Sequence, residues 1–158
     1  MEVHYSSATN EWATPQYVFD TLNAEFNFTL DPCATKENAK TEKFFTVHDD
    51  GLAQVWEGTT FMNPPYGREI RRWVQKAYEE SLKGTVVVCL IPARTDTTYW
   101  HDYIFNNAYE IRFIKGRIKF GDSKQGAPFP SAIVIFDNKN SSEQRTPHMT
   151  TQQFKEVE

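Results

Sequence analysis

A continuous apolar run at residues 85–91, rich in valine, constrains the fold of this chain more than any other segment. A strand without alternating polar positions is typical of parallel sheets, in which helices cover both faces. The preceding segment, residues 69–83, carries apolar side chains at positions 70, 73, 74 and 77, which is the spacing of an amphipathic helix. Together the two segments predict a helix packed on a buried strand of an α/β domain.

Other segments supply further helices and strands. Thr14-Pro15 offers a helix N-cap followed by proline at the first helical position, and predicts a helix through residue 26. Helical spacing also covers residues 97–106, and strand patterns cover residues 28–30, 59–62, 110–120 and 131–136. We therefore predict an open, mostly parallel sheet with a C-terminal antiparallel hairpin. One domain would span residues 1–136, and the polar tail at residues 137–158 needs no fold.

Composition narrows the classes of function. A chain of 158 residues fits one domain, and its formal charge of −4 lacks the basic excess of a strong non-specific DNA binder. Any nucleic-acid surface must therefore be local. The two cysteines and four histidines match no zinc-binding spacing, which predicts no structural metal. No apolar N-terminal segment indicates export or a membrane span, so we expect a cytoplasmic protein.

Four polar side chains follow predicted strands or turns at points that would meet at one edge of the sheet. Asp31 follows the first short strand, and Asn63 ends the strand at residues 59–62. Asp50 lies in a predicted turn, and Arg94 follows the buried strand. Open α/β sheets bind ligands beyond the carboxyl ends of their strands. We therefore expect these four residues to form one ligand site.

The tetrapeptide Asn63-Pro64-Pro65-Tyr66 has the residue types of a catalytic site for a planar amine. The Asn63 oxygen and a rigidly held proline carbonyl can accept both hydrogen bonds of a conjugated NH2 group, and Tyr66 can stack on the base. When both N–H groups of the amine donate hydrogen bonds, electron density shifts back to the nitrogen. The nitrogen then becomes a better nucleophile in a direct displacement. The alternative is that two prolines and an aromatic residue form only a rigid turn.

The chain resembles the amino-methyltransferases, and more closely the small phage-type DNA N6-adenine methyltransferases (Dam-like), from about residue 12 to residue 136. The resemblance rests on Trp12-Ala13-Thr14-Pro15, Leu30-Asp31-Pro32-Cys33-Ala34, Asp50-Gly51-Leu52, Asn63-Pro64-Pro65-Tyr66-Gly67, Gly116-Arg117-Ile118-Lys119-Phe120 and residues 128–136. It implies a Rossmann-like methyltransferase fold and methyl transfer from S-adenosylmethionine to adenine N6 in DNA, after the base has left the helix. It also implies a phage or prophage protein in a bacterial host cell.

The resemblance implies a role for each matching residue. Asn63 and Pro64 would accept hydrogen bonds from the amine, with Pro65 in the same loop, and Tyr66 would stack on the adenine. The residues implied to bind the cofactor are Trp12, Thr14, Pro15, Asp31, Cys33, Ala34, Asp50 and Gly51. Among them, Thr14 and Pro15 meet its methionine end, Asp31 lies near its amino group, and Asp50 faces its adenine. The alternatives are that Thr14 is only a helix cap and Asp50 only a turn residue.

Two departures from the family pattern predict that the half of the domain that binds the cofactor is reduced. Residues 31–35 contain no glycine, whereas the family has a glycine-rich loop there, and the interval between Asp31 and Asn63 is short. It leaves little room for a second strand ending in an acidic ribose ligand. Either Glu37 or Asn38 would take the place of that ligand, or the ribose is held differently.

Five basic residues are candidates for DNA contact: Arg68, Arg71, Arg94, Lys115 and Arg117. Those on the helix after Tyr66 suit a phosphate contact but equally suit a solvated surface. No segment is large enough for a separate target-recognition domain, so we expect a short or relaxed target sequence, read by residues 92–100 and 121–130. We expect DNA as partner and a monomer or small homo-oligomer.

Two other functions remain open from the sequence. One is methylation of a different planar amine, either cytosine N4 in DNA or the glutamine amide of a protein. The other is a non-catalytic relative that binds DNA or protein, for which the glycine-poor cofactor loop is the supporting feature. The intact tetrapeptide at residues 63–66 argues against decay of the active site.

Overall fold

The computed structural model describes residues 12–141 and 146–156 of the chain. The helices are α1 (Gln16–Phe26), α2 (Ile70–Leu82) and the short α3 (Asn138–Ser141). The strands are β1 (Leu30–Asp31), β2 (Lys43–Phe44), β3 (Thr59–Met62), β4 (Val86–Pro92), β5 (Glu110–Ile114), β6 (Ser131–Phe136) and β7 (His148–Gln152). A 3-10 turn covers Gly51–Ala53, and a π-helical turn covers Trp100–Ile104.

One mixed sheet contains these seven strands in the order β2-β1-β3-β4-β6-β5-β7. Strands β1 to β4 pair in parallel, and β7 pairs in parallel with β5. Strand β6 is antiparallel to both of its neighbours, β4 and β5. The predicted fold class, a mostly parallel α/β sheet with an antiparallel pair near the C-terminus, is confirmed. At the other end, β1 and β2 contain two residues each, so the half of the sheet that is expected to bind the cofactor is short.

The core lies where the two longest apolar strands pair. Strand β4 is buried from its second residue onward, and every residue of β6 is buried, with Leu90 opposite Ile133. Helix α2 buries the predicted apolar face, which includes Trp73 and Val74, and packs on β4. An uninterrupted apolar run and an amphipathic helix therefore form the layers that their sequences predict.

The N-terminal helix begins one residue later than its sequence suggests. Its N-cap is Pro15, so the proline flanks the helix instead of occupying its first turn. No side chain caps the helix, and the Thr14 hydroxyl bonds elsewhere. The interpretation of Thr14 as only a helix cap is therefore wrong.

The predicted strand at residues 110–120 is too long. Pairing stops at Ile114, and residues 115–120 leave the sheet through Gly116, whose φ of 80° suits glycine. Ile118 and Phe120 are buried although they lie outside the strand. Their apolar pattern indicates that they are buried in the core. The sequence alone does not show whether such buried residues belong to a strand.

The expectation that the polar tail needs no fold is wrong for β7. This strand pairs with β5 at the edge of the sheet, with His148 opposite Glu110. Four of its five residues are exposed, including Met149. Backbone pairing at an edge requires no apolar side chains, so the strand carries no hydrophobic signal.

Two further element predictions need correction. The predicted helix at residues 97–106 contains the π-helical turn Trp100–Ile104, in which Phe105 N bonds the Trp100 carbonyl. The first short strand is Leu30–Asp31 instead of residues 28–30. No helix in the described ranges has the length and apolar character needed to cross a membrane.

Candidate active site

A cavity of about 370 Å³ lies beyond the carboxyl ends of β1 and β3. Its walls include the N-terminal strap (residues 12–14), the loop after β1, residues 46–52, the loop after β3 and the first turn of α2. Its volume is within the range of small-molecule sites, about 300–1,000 Å³. The predicted site residues on its wall are Trp12, Thr14, Asp31, Cys33, Ala34, Asp50, Gly51, Asn63, Pro64 and Pro65. Pro15 and Tyr66 are not part of the wall.

The side-chain amide of Asn63 connects the strap to the loop after β3. Its Nδ2 group donates to the Trp12 carbonyl and to the Thr14 hydroxyl, the latter at 2.8 Å. Its Oδ1 accepts a hydrogen bond from the Tyr66 hydroxyl at 2.8 Å. The Cys33 thiol donates to the Asn63 carbonyl at 3.2 Å, which also links the loop after β1. Asn63 is therefore held from three sides.

Tyr66 lies beneath the cavity wall and is 3% exposed. Its hydroxyl lies 3.2 Å from the Leu90 carbonyl in addition to its contact with Asn63, and burial raises the pKa of this phenol well above its ordinary value. Its ring is nearly parallel to that of Trp12, with centroids 6.4 Å apart and an interplanar angle of 23°. Phe120 and Phe129 meet the Tyr66 ring edge-on. The Trp12 indole therefore covers one face of the tyrosine.

Asp31 places a carboxylate at the inner end of the cavity. It is 5% exposed, and its Oδ2 accepts a hydrogen bond from the Lys40 backbone N at 3.2 Å. Burial raises the pKa of Asp31 from its usual 3.8 to about 6, although hydrogen bonds from the Lys40 and Cys33 backbones oppose the rise. A positive charge in the cavity would favour the ionised carboxylate.

The turn at Asp50-Gly51 forms another part of the wall. Asp50 is exposed and has a φ of 56°, in the left-handed region that Asp tolerates better than most residues. Gly51 is buried, and a Cβ at this position would lie 2.1 Å from the Pro32 carbonyl oxygen and 3.0 Å from Trp73. The Trp56 indole donates to the Gly51 carbonyl at 2.8 Å. Glycine is therefore required here by close packing.

The first turn of α2 contributes cavity residues that the sequence reasoning missed. Glu69 and Arg72 line the cavity and form an exposed ion pair at 3.5 Å. Trp73 lines it as well, and its buried indole Nε1 has no hydrogen-bond partner within the described residues. In the sequence, the spacing of Glu69, Arg72 and Trp73 indicates only a helix. It does not show that they line a cavity with loops from much earlier in the chain, because such contacts leave no periodic signal. Asn38 also lines the cavity, whereas Glu37 does not.

Four of the candidate DNA-contact residues lie on the surface. Arg68, Arg94, Lys115 and Arg117 are exposed. The Arg94 guanidinium lies 5.3 Å from the centroid of the Phe129 ring, next to the aromatic residues around Tyr66. Arg117 donates to the backbone carbonyl of residue 127 at 3.1 Å. Among these four residues, Arg94 therefore contacts the aromatic residues around Tyr66.

Arg71 has intramolecular partners. It forms an ion pair with Asp102 at 2.9 Å, donates to the Thr98 hydroxyl at 3.0 Å, and lies 5.1 Å from the Tyr103 ring centroid. These contacts join α2 to the segment around the π-helical turn. A phosphate at Arg71 would compete with the Asp102 carboxylate. In the described ranges, no group of three or more His, Cys, Asp or Glu side chains is arranged to hold a metal ion.

Comparison with known proteins identifies the family. A family model described as DNA N-6-adenine-methyltransferase (Dam) matches residues 4–154. The DNA N-6-adenine-methyltransferase of Haemophilus phage HP1 is 33% identical over 137 residues, covering 81% of this chain and 79% of that protein. The protein of the same name from Escherichia phage T1 is 32% identical over 107 residues, covering 66% of this chain and 44% of that protein. A solved structure from Agrobacterium tumefaciens, described as a predicted O-methyltransferase, is 14% identical and covers 70% of this chain and 52% of that chain, with a TM-score of 0.36. Since the family model spans nearly the whole sequence, the chain belongs to the DNA N-6-adenine-methyltransferase (Dam) family.

Proposed function

We propose that this protein transfers a methyl group from S-adenosylmethionine to the N6 amine of adenine in DNA. Family membership supports methyl transfer to adenine, and the position of Asn63 at the wall of the cavity carries the assignment of the site. Asn63 would accept one hydrogen bond from the amine through Oδ1, and the Pro64 carbonyl would accept the other. Both acceptors are held before the substrate arrives, which is how positioned dipoles contribute to rate.

The residues around the cavity suit the proposed cofactor. The buried Asp31 carboxylate, whose pKa burial raises to about 6, would be stabilised by the positively charged amino group of the methionine part. Trp73 supplies a buried indole N–H without a partner within the described residues, and Gly51 lets the turn on the cavity wall pack closely against the Pro32 carbonyl and Trp73. S-adenosylmethionine supplies an electrophilic methyl group on a positively charged sulfur. The chain's part is to hold the amine in line with that methyl group.

Access of the base to Tyr66 depends on Trp12. The proposed role of Tyr66 is to stack on an adenine that has left the DNA helix. The Trp12 indole lies nearly parallel to the ring, and Phe120 and Phe129 make T-shaped contacts with it. Trp12 is partly exposed, whereas Tyr66 and both phenylalanines are buried. Since Tyr66 is 3% exposed, stacking of adenine on it would require a surrounding ring to move, and we propose that the partly exposed Trp12 is that ring.

The DNA backbone would contact the basic residues on the surface. Arg68, Arg94 and Lys115 are exposed and able to reach phosphates, whereas Arg71 must first leave Asp102. With a net charge of −4, the protein would rely on these local charges. We propose that the target sequence is short and is read by residues 92–100 and 121–130. Methylation of a random-sequence library tests this point, since recovery of a long strict motif would refute it.

The experiment that tests the function combines product identification with a matched pair of variants. Purified protein is incubated with methyl-labelled S-adenosylmethionine and unmethylated DNA, and the DNA is digested to nucleosides for mass spectrometry. We expect N6-methyl-2′-deoxyadenosine from the wild type and from Asn106→Ala, which alters an exposed asparagine outside the cavity. Asn63→Ala should abolish the product while calorimetry reports nearly unchanged cofactor binding.

Other products would contradict the proposal in distinct ways. Formation of N4-methyl-2′-deoxycytidine would show that the methylated base is cytosine. Label on glutamine in a peptide substrate would show that the substrate is a protein. Cofactor binding without transfer to DNA, RNA or peptide would favour a non-catalytic relative. Full activity in Asn63→Ala would remove Asn63 from the mechanism.

A further inference from the structure

The two ends of the Asn63 side-chain amide have opposite hydrogen-bonding roles. An amide oxygen accepts, an amide nitrogen donates, and the two atoms have nearly the same size. Only the oxygen can accept a hydrogen bond from an exocyclic amine. The chemistry proposed for this site therefore requires one of two orientations, which differ by an exchange of the oxygen and nitrogen positions, and the surrounding groups must select it.

The strap selects the orientation of the amide. The Trp12 carbonyl is an acceptor only, so the amide atom facing it must be the nitrogen. The second Nδ2 proton is directed to the Thr14 hydroxyl at 2.8 Å. In the reversed orientation, Oδ1 would face the lone pairs of the Trp12 carbonyl, which is repulsive. Both protons of the amide are thus occupied by residues of the strap.

The oxygen is consequently directed away from the strap. Oδ1 accepts from the Tyr66 hydroxyl at 2.8 Å, and a carbonyl-type oxygen has a second lone pair. That lone pair is the acceptor for a substrate amine in the proposed reaction. In the reversed orientation the Tyr66 hydroxyl could accept from the amide nitrogen and donate to the Leu90 carbonyl, which lies 3.2 Å away. The Trp12 carbonyl, which can only accept, therefore decides the orientation of the amide.

Thr14 is available for this contact because it does not cap α1. The helix begins after Pro15 without a side-chain cap, and Thr14 is 8% exposed. A buried hydroxyl that accepts from an amide N–H makes the position specific for a hydroxyl side chain. Valine has nearly the same shape but cannot accept the hydrogen bond, and serine retains the acceptor.

We propose that Thr14 is a positioning residue for Asn63: the Trp12 carbonyl selects the end of the amide that faces the strap, and the Thr14 hydroxyl holds the amide there so that Oδ1 faces the substrate amine. This inference rests on the proposed function of Asn63 as an acceptor. It gives Thr14 a role directed at the catalytic loop, in place of a role limited to the methionine end of the cofactor. The Trp12 bond survives in a Thr14 variant, so orientation becomes less restricted without being lost.

Steady-state kinetics of Thr14→Val and Thr14→Ser test this role. One hydrogen bond to the amide is lost in Thr14→Val, and we expect kcat to fall about tenfold, with the KM for S-adenosylmethionine unchanged within about twofold. Thr14→Ser should recover most of kcat because it restores the acceptor. A raised KM for the cofactor with normal kcat would overturn the inference, since the hydroxyl would then act on the cofactor. Equal defects in both variants would overturn it as well, since packing would then be the cause.

A measurement without cofactor or DNA separates this inference from the proposed function. The Asn63 side-chain NH2 signals are identified in a 15N-labelled sample by their disappearance in Asn63→Ala. In the wild type, both protons should exchange slowly with water, and in Thr14→Val one of them should exchange at least about tenfold faster. Unchanged exchange in Thr14→Val would overturn the inference even if the enzyme methylates adenine. A wild type that shows the expected exchange but forms no N6-methyladenine would instead refute the proposed function.

Discussion

Replacing Asp31 with asparagine should remove a specific component of the pH dependence of stability. Asp31 is 5% exposed, and its burial raises the pKa from the usual 3.8 to about 6. The unfolded chain exposes this carboxyl to water, where it has its ordinary pKa. Between these two values the folded protein binds a proton that the unfolded chain has already released. Folding and proton binding at Asp31 are therefore linked.

The sign of the linkage follows from the raised pKa. Stability contributed by the protonated Asp31 is fully present below about pH 4 and is lost as the pH rises through about 6. A difference of about two pKa units corresponds to about 3 kcal/mol in the free energy of unfolding. Between pH 4.5 and 8, about 2 kcal/mol of this amount should be lost. Asparagine does not titrate, so its variant lacks this component.

The assay compares variants at each pH. Urea unfolding followed by tryptophan fluorescence gives the free energy of unfolding of wild type and Asp31→Asn from pH 4.5 to 8. Asparagine also alters the hydrogen bond from the Lys40 backbone, but that effect is independent of pH. The stability of wild type minus that of Asp31→Asn should therefore fall by about 2 kcal/mol across the range. Asp122→Asn, at an exposed position, is the matched control and should show no comparable trend.

A difference between wild type and Asp31→Asn that stays flat, or that rises with pH, would refute this reasoning. The first result would mean that Asp31 has the same pKa in both states. The second would mean that its folded-state pKa is lowered, as for a carboxylate in a strong ion pair. The raised pKa of Asp31 also predicts that the wild type binds S-adenosylmethionine more weakly as the pH falls through about 6. Protonation removes the negative charge of the carboxylate, which the positive amino group of the cofactor favours.

Three further substitutions test other contacts of the structure. Gly51→Ala places a Cβ 2.1 Å from a backbone oxygen and should lower stability by about 1–3 kcal/mol in thermal unfolding; an unchanged Tm would show that the turn relaxes freely. Glu80→Ala removes a buried carboxylate that accepts from the Trp56 backbone N at 2.6 Å, and should cost about 3 kcal/mol in urea unfolding. Glu80→Gln keeps an acceptor and should cost clearly less, so equal losses would contradict the hydrogen-bond account. Tyr66→Phe keeps the ring but loses the donor to Asn63 Oδ1, and should lower kcat with a stability loss of about 1 kcal/mol; unaltered kcat would exclude the hydroxyl from positioning Asn63.

The central fold was predictable because its signals are local. The run at residues 85–91 and the spacing of apolar residues in α2 each lie within one element, and each reports burial directly. The general rule for open sheets placed Asp31, Asp50, Asn63 and Arg94 at one site; the first three line the cavity, whereas Arg94 does not, so that part of the prediction is wrong. Strand ends and breaking prolines are thus enough to locate a site at a sheet edge.

The remaining parts depend on contacts between distant segments. Thr14 looks like a helix cap because of the proline after it, yet its partner is Asn63, 49 residues along the chain. Strand β7 is polar because backbone pairing and polar side-chain contacts, such as that of Thr150 with Glu110, hold it at an edge of the sheet. Trp73 has the spacing of a core residue, and its position on the cavity wall depends on how the 3-10 turn at Gly51–Ala53 packs on it. None of these relations has a periodic or compositional signature.

The shortness of β1 and β2 explains why the strap has two structural roles. Strands β1 and β2 contain two residues each, so they supply little wall, and the strap completes the wall of the cavity together with the loop after β1. Two residues of the strap, Trp12 and Thr14, hold the Asn63 amide, and Trp12 also places its indole beside the Tyr66 ring. A ligand that shifts the strap must therefore alter the hydrogen bonds of Asn63 and the cover of Tyr66 together. Under the proposed function, the pocket for the methyl donor and the acceptor for the amine share the strap as a wall, so a methyl donor that moves the strap would also change the geometry at Asn63.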